Sequence, residues 1–192
     1  MELKSARYLA SDYLARTVLP GDTVVDATAG NGHDTLFLAG LVGETGHVFA
    51  FDIQESAIQS TAECVRAAGL EKRVTLIHDG HERMAEYVSG PVRAVCFNLG
   101  WLPGGDKGIT THWETTFQAV TQALSLLMPL GICTICVYPG HAEGEKERQQ
   151  LLLFLAALRP QEFNVLHQVF LNAGPDAPEC YVIQRMRTAH KK

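Results

Sequence analysis

Apolar positions along the chain switch repeatedly between a helical spacing and the short, dense runs of buried strands. Leu3, Ala6, Leu9, Ala10, Tyr13 and Leu14 share one helical face over residues 3–18, and Pro20-Gly21-Asp22 stops them. The strand TVVDA follows and runs into a small glycine-bearing loop from Thr28 to His33, after which Asp34 opens a second helix. HVFAFDI reads as the next strand, and the helix from Glu55 to Ala68 stops at Gly69, where a left-handed cap costs glycine little. RVTLI and VRAVCFNL are further strands, with a short helix over Met84 to Val88 between them. The second is nearly continuous in apolar residues, as a parallel strand covered on both faces should be. A helix from Trp113 to Leu127, a turn at Pro129-Leu-Gly131, the strand ICTICVY, a helix from Glu145 to Leu158 and the strands FNVLHQVFL and CYVIQRM complete the pattern.

Five β-then-α units and a closing pair of strands predict an α/β fold: a seven-stranded, mostly parallel sheet with helices on both faces and the last strand antiparallel. In such sheets ligands bind outside the carboxyl ends of the strands, where the strand order reverses. The unusual loops, Thr28–His33, His78–His81, Gly100–Gly108 and Pro139–Gly144, all follow strands and so are expected at that edge.

Composition narrows the class. The 192 residues are 46% apolar and 19% charged, which predicts a single folded domain over 1–192 rather than a disordered or fibrous chain. Sixteen basic against 21 acidic side chains leave a net charge of −5, so no bulk attraction to polyanions is built in. The opening MELKSARYLASDYL lacks a signal-peptide core, and the longest apolar run, Leu151 to Leu158, is too short to span a bilayer, so a cytoplasmic protein without membrane contact is expected. Five cysteines, mostly in apolar stretches, read as reduced and buried. Cys133 and Cys136 have metal-ligand spacing, but three residues along a strand turn them to opposite faces, so no metal site is expected.

The chemistry concentrates at strand ends. Asp26-Ala-Thr-Ala-Gly30-Asn31-Gly32-His33-Asp34 is a glycine turn between strand and helix, and Asp52 closes the next strand 20 residues after Gly32, where a carboxylate can take both ribose hydroxyls. A dinucleotide fingerprint would want a third glycine at the position of Thr35, and an acidic residue at Asp26 suits a cation better than a pyrophosphate. Asp79-Gly80-His81 ends the third strand, and a metal pair of His78 and His81 is not favoured there because no third ligand is evident. Asn98-Leu-Gly-Trp101-Leu-Pro-Gly-Gly-Asp106-Lys107 is the most distinctive stretch, and Tyr138-Pro-Gly-His141 follows the fifth strand.

The first loop resembles motif D-x-x-x-G-x-G of Rossmann-like class I methyltransferases. Taken with NLGWLPGGDK and YPGHAEG in that order, the whole chain resembles the small bacterial family once labelled rRNA methylases and now associated with methylation of 5-aminomethyl-2-thiouridine at the tRNA wobble position. The resemblance implies S-adenosylmethionine as cofactor, with Asp26, Gly30, Asn31, Gly32, Asp34, Asp52, Gln54, Gly80 and His81 around it, and makes Asp79-Gly80-His81 an adenine contact rather than plain surface residues. By position it gives Asn98 the amine-accepting role, although the proline pair that usually follows is absent. Asp106 or His141 would take the amine's proton. Trp101, Lys107 and Tyr138 are the expected contacts to a tRNA anticodon loop, the first and last as stacking planes for an unpaired base. His141 reads equally as the cap of the following helix, and Arg185, Arg187, Lys191 and Lys192 as phosphate contacts or a basic tail. Homodimerisation is left open. The alternatives are a methyltransferase for a small amine or another RNA, a non-catalytic cofactor sensor and, least, an NAD oxidoreductase.

Overall fold

Runs of β-branched and aromatic residues bounded by turns form the strands, and amphipathic or small-residue segments between them form the helices. The computed structural model describes residues 4–102, 104–106 and 108–187. In chain order the elements are α1 (Ala6–Thr17), β1 (Thr23–Asp26), α2 (His33–Val42), β2 (His47–Asp52), α3 (Glu55–Ala67), β3 (Val74–His78), α4 (Met84–Tyr87), β4 (Val92–Asn98), α5 (Trp113–Leu126), β5 (Leu127–Val137), α6 (Ala142–Ala156), β6 (Phe163–Gln168) and β7 (Glu179–Arg185). The strands pair in the order β3-β2-β1-β4-β5-β7-β6. β1 to β5 are mutually parallel, and β7 runs antiparallel between β5 and β6.

Two apolar layers sandwich the sheet. On one face Ala6, Ala10 and Leu14 of α1 and Leu38, Ala39 and Val42 of α2 pack on Val24, Val48, Ala94 and Cys136. On the other, Met84 of α4, Ala119, Val120 and Ala123 of α5 and Leu151 and Leu155 of α6 pack on Val25, Val95, Phe97, Cys133 and Ile135. Cys133 and Cys136 therefore belong to opposite layers, as strand alternation requires, and both are packed thiols whose pKa burial helps to push up.

Element ends shift by a few residues from the sequence pattern, and three of the differences bear on the fold. The turn at Pro129-Leu-Gly131 lies inside β5: Val92 pairs with Leu127 and Ala94 with Ile132, so residues 128–131 bulge out, with Leu130 at φ 64°. α6 starts three residues before Glu145 because His141 caps it. β6 ends at Gln168 at the sheet edge, leaving Leu171 95% exposed. Among the described residues no helix is long and apolar enough to cross a membrane.

Two glycines predict opposite effects of the same substitution. A Cβ on Gly46 would stand 2.5 Å from Val42 O and 2.6 Å from Asp22 O, both backbone atoms that cannot yield, whereas one on Gly40 in α2 meets nothing within 4 Å. G46A is expected to destabilise by about 2–3 kcal/mol. G40A is expected to stabilise by up to about 1 kcal/mol through helix propensity. Thermal denaturation of the two variants checks both signs.

Candidate active site at the carboxyl edge of the sheet

β1 has β2 on one side and β4 on the other, and the chain leaves it towards β2, so a crevice opens above its carboxyl end. A cleft of about 590 Å³ occupies that place, lined by the ends of β1 to β5 and the loops after them. Ala27, Thr28 and Gly30 form its floor, Asp52, Ile53 and Gln54 one end, Asp79, His81 and Glu82 a flank, and Asn98 to Leu102 with Tyr138 and His141 the other end.

The first loop is held by side chains beneath it. Gly30 and Gly32 take φ 54° and 80°, and a Cβ on Gly32 would lie 3.1 Å from Thr61 Cα, so glycine lets α3 approach the turn. Thr61 donates to Gly30 O at 3.0 Å. Gly30 N donates to Asp52 Oδ2 and Gln54 N to Asp52 Oδ1, both at 2.9 Å, so two backbone amides aim that carboxylate into the cleft. Asp26 is different: it is fully buried and is absent from the lining. Its carboxylate accepts from Thr35 Oγ1 at 2.7 Å and Thr28 N at 3.2 Å, and burial, reinforced by the charge of Asp34, pushes its pKa up to about 7. The sequence places Asp26 against the ligand; the structure places it under the loop, as a post.

His81 is almost fully buried, its Nδ1 donating to Ala27 O at 3.1 Å and its ring edge-on to Phe97. Burial lowers its pKa, which keeps the imidazole neutral. Asp79 joins the same wall, held by Arg83 Nη1 at 2.7 Å and Tyr87 Oη at 2.6 Å.

At the other end, Asn98 N donates to Thr28 Oγ1 at 2.8 Å, and Asn98 Nδ2 donates to Asp34 Oδ2 at 2.6 Å. The loop after β4 folds back through a bridge between Trp101 and Thr110. It is anchored by Gly100 N donating to Thr111 Oγ1 at 2.8 Å, and Thr111 and Thr116 donate to the buried Glu147 at 2.7 and 2.6 Å. Trp101 lies against His141 with ring centroids 4.3 Å apart. His141 Nδ1 accepts from Gly144 N at 3.2 Å, so this side chain caps α6, and a neutral ring then carries its proton on Nε2. That geometry makes its free nitrogen a donor, the reverse of the proton-accepting role expected from the sequence. Tyr138 lines the cleft as a phenol, its pKa pushed up to about 12 by burial.

Of the residues expected at the site, Gly30, Asp52, Gln54, His81, Asn98, Trp101, Tyr138 and His141 line the one cleft. Asn31, Gly32, Asp34 and Gly80 are absent from its lining, and Asp106 is exposed, its Oδ1 accepting from Gly108 N within its own loop. Lys107, Lys191 and Lys192 lie outside the described residues. Arg185, a candidate phosphate contact, donates to Ser125 O and Leu127 O and so ties β7 to the end of α5. Sequence reasoning missed Arg7, Thr111, Glu147 and Asp176. Asp176 sits in the Asn172–Pro178 loop, and its polar, proline-rich composition is the one local signal that pointed towards any of them.

Strand order, crevice and glycine loop define a Rossmann-like class I methyltransferase fold. The chain belongs to the family described as "Putative rRNA methylase", whose model matches residues 48–184. It is 45% identical to a "putative rRNA-methylase" from Clostridium thermocellum, with TM-score 0.95 over 97% of this chain and 100% of that one. A "putative methyltransferase" from Streptococcus mutans solved in complex with SAH is 34% identical, with TM-score 0.88 over 96% of this chain and 100% of that one. The chloroplastic tRNA (mnm(5)s(2)U34)-methyltransferase of Arabidopsis thaliana is 39% identical over 165 residues, 81% of this chain but only 60% of that relative's own length.

Asp26 carries a pH prediction. A folded pKa of about 7 lies above the ordinary carboxylate value, so the folded state holds the proton more tightly than the unfolded state. The stability contributed by the protonated form is fully present below about pH 4 and is lost as pH rises through about 7. D26N, which cannot ionise, should therefore gain on the wild type as pH is raised from 5 to 8. Melting temperatures of the pair across that range check it.

Proposed function

We propose that the protein transfers a methyl group from S-adenosylmethionine to the primary amine of 5-aminomethyl-(2-thio)uridine at the tRNA wobble position, giving the 5-methylaminomethyl nucleoside. The observation that carries this reading is one cleft with the Asp52 carboxylate at one end and the Asn98 amide at the other. Those residues end β2 and β4, with β1 between them, so they stand two strand spacings apart, about 10 Å. The lining suits a cationic cofactor, since it contains Asp52, Asp79, Glu82 and Asp176 and, among its described residues, no Lys or Arg. SAH in the Streptococcus mutans relative and the name of the Arabidopsis relative support the cofactor and the substrate.

When bound, S-adenosylmethionine supplies a methyl on a sulfonium, which leaves as a neutral thioether when the amine's lone pair attacks in line. Asp52 holds the ribose hydroxyls, Gln54 and His81 border the adenosine, and the Gly30 turn lets the backbone approach the methionine half. Asn98 Oδ1, to which no described residue donates, accepts an N–H of the neutral amine and aligns it. The product ammonium then passes its surplus proton to water at the cleft mouth, because the second ring nitrogen of His141 is buried and carries the ring's own proton, and Asp106 lies outside the lining. Trp101, backed by the ring of His141, offers a plane for the splayed wobble base, and the Tyr138 hydroxyl a donor beside it.

Incubation with labelled S-adenosylmethionine and tRNA from cells lacking the last methylation, followed by nucleoside mass analysis, should show one methyl gained on the wobble uridine. A methyl on another nucleotide, or on a free small amine alone, would overturn the reading. N98A should lower kcat by about 10²-fold with little change in cofactor affinity.

A further inference from the structure

Asn98 is not free to choose which amide atom it turns towards the cleft. Its Nδ2 donates to Asp34 Oδ2 at 2.6 Å. Asp34 is in turn gripped from α1, because Arg7 donates to Asp34 Oδ1 through Nη2 at 2.8 Å and Nε at 3.1 Å. The Asp34 side chain is 12% exposed, so little water competes for it. A carboxylate only accepts and a guanidinium only donates, so the order of donors and acceptors along Arg7–Asp34–Asn98 has one solution. It fixes Nδ2 on the Asp34 side and leaves Oδ1 as the amide's acceptor for a ligand.

We infer that Asp34 and Arg7 are positioning residues that lock the Asn98 amide with its oxygen towards the acceptor amine. The inference rests on the amine-methylating reading above. Orientation matters because a neutral primary amine has two N–H groups and one lone pair. An amide oxygen binds an N–H and leaves the pair for the methyl carbon. An inverted amide would present N–H, bind that pair and block the attack. The link spans 91 residues in sequence, and α1, which supplies Arg7, contributes nothing to the described cleft lining.

The test exchanges the polarity of the relay. In D34N, Arg7 claims the oxygen of the new amide, whose NH2 then faces Asn98 and turns the Asn98 oxygen away from the cleft. Turnover should fall about 10²-fold while SAH affinity and melting temperature change little. N98D alone sets two carboxylates against each other and should also be slow. The double variant D34N/N98D restores a donor–acceptor match with an oxygen towards the cleft, and should recover to within about tenfold of wild type. Wild-type-like turnover of D34N, or a folded double variant no faster than D34N, would overturn the inference.

Wild-type protein inactive on aminomethyluridine tRNA would instead overturn the functional reading. The relay then has its own readout in the 15N–1H signals of the Asn98 side-chain amide, identified as those lost in N98D. They should exchange with solvent about tenfold more slowly in wild type than in D34A. Equal exchange rates would contradict the relay whatever the substrate.

Discussion

The site depends on one topological constraint: the chain leaves β1 towards β2, yet β4 pairs on the other side of β1. Loops from the two halves of the sheet diverge there and cannot close over the strand ends, so a cleft remains above β1. What lines it follows from which residues happen to end each strand. Asp52 ends β2 and Asn98 ends β4, and the parallel register places both at the same edge. The antiparallel β7 enters beyond β5, too far along the sheet to disturb this arrangement.

Carboxylates at this edge do three different jobs, and environment sorts them. Asp52 accepts two backbone amides and faces the cleft, Asp26 is buried under the loop with its pKa pushed up to about 7, and Asp34 pairs with the Arg7 guanidinium while accepting from the Asn98 amide. A fourth acid, Glu147, works from the opposite layer by holding the Gly100–Thr111 return through two hydroxyls. The lining is acidic, which matches the net charge of −5 and favours a cationic cofactor and amine. An RNA would then meet this protein at the loop rim, through aromatic planes more than through a basic field.

Strand periodicity and turn residues made the sheet legible, and the alternation that separates Cys133 from Cys136 needs only a period of two. Asp52 and Asn98 were legible because a site at the strand ends reduces the search to residues that end strands. The failures share a cause. Asp26 and Asp34 look equivalent within DATAGNGHD, and only the third dimension shows that both lie off the lining, one as a post and one as a relay. Arg7, Thr111 and Glu147 act over separations of 27 to 36 residues and leave no local pattern. The sequence leaves His141 balanced between cap and catalyst, and the hydrogen bond from Gly144 N makes it the cap, with its other nitrogen buried.

A crystal structure of the protein with SAH and an anticodon stem-loop carrying 5-aminomethyl-2-thiouridine tests the central claim most directly. The cofactor's ribose should lie on Asp52, with the aminomethyl nitrogen within hydrogen-bond distance of Asn98 Oδ1 and in line with the sulfur. A ribose away from Asp52, or an amine that meets Asn98 through Nδ2 or not at all, would contradict it.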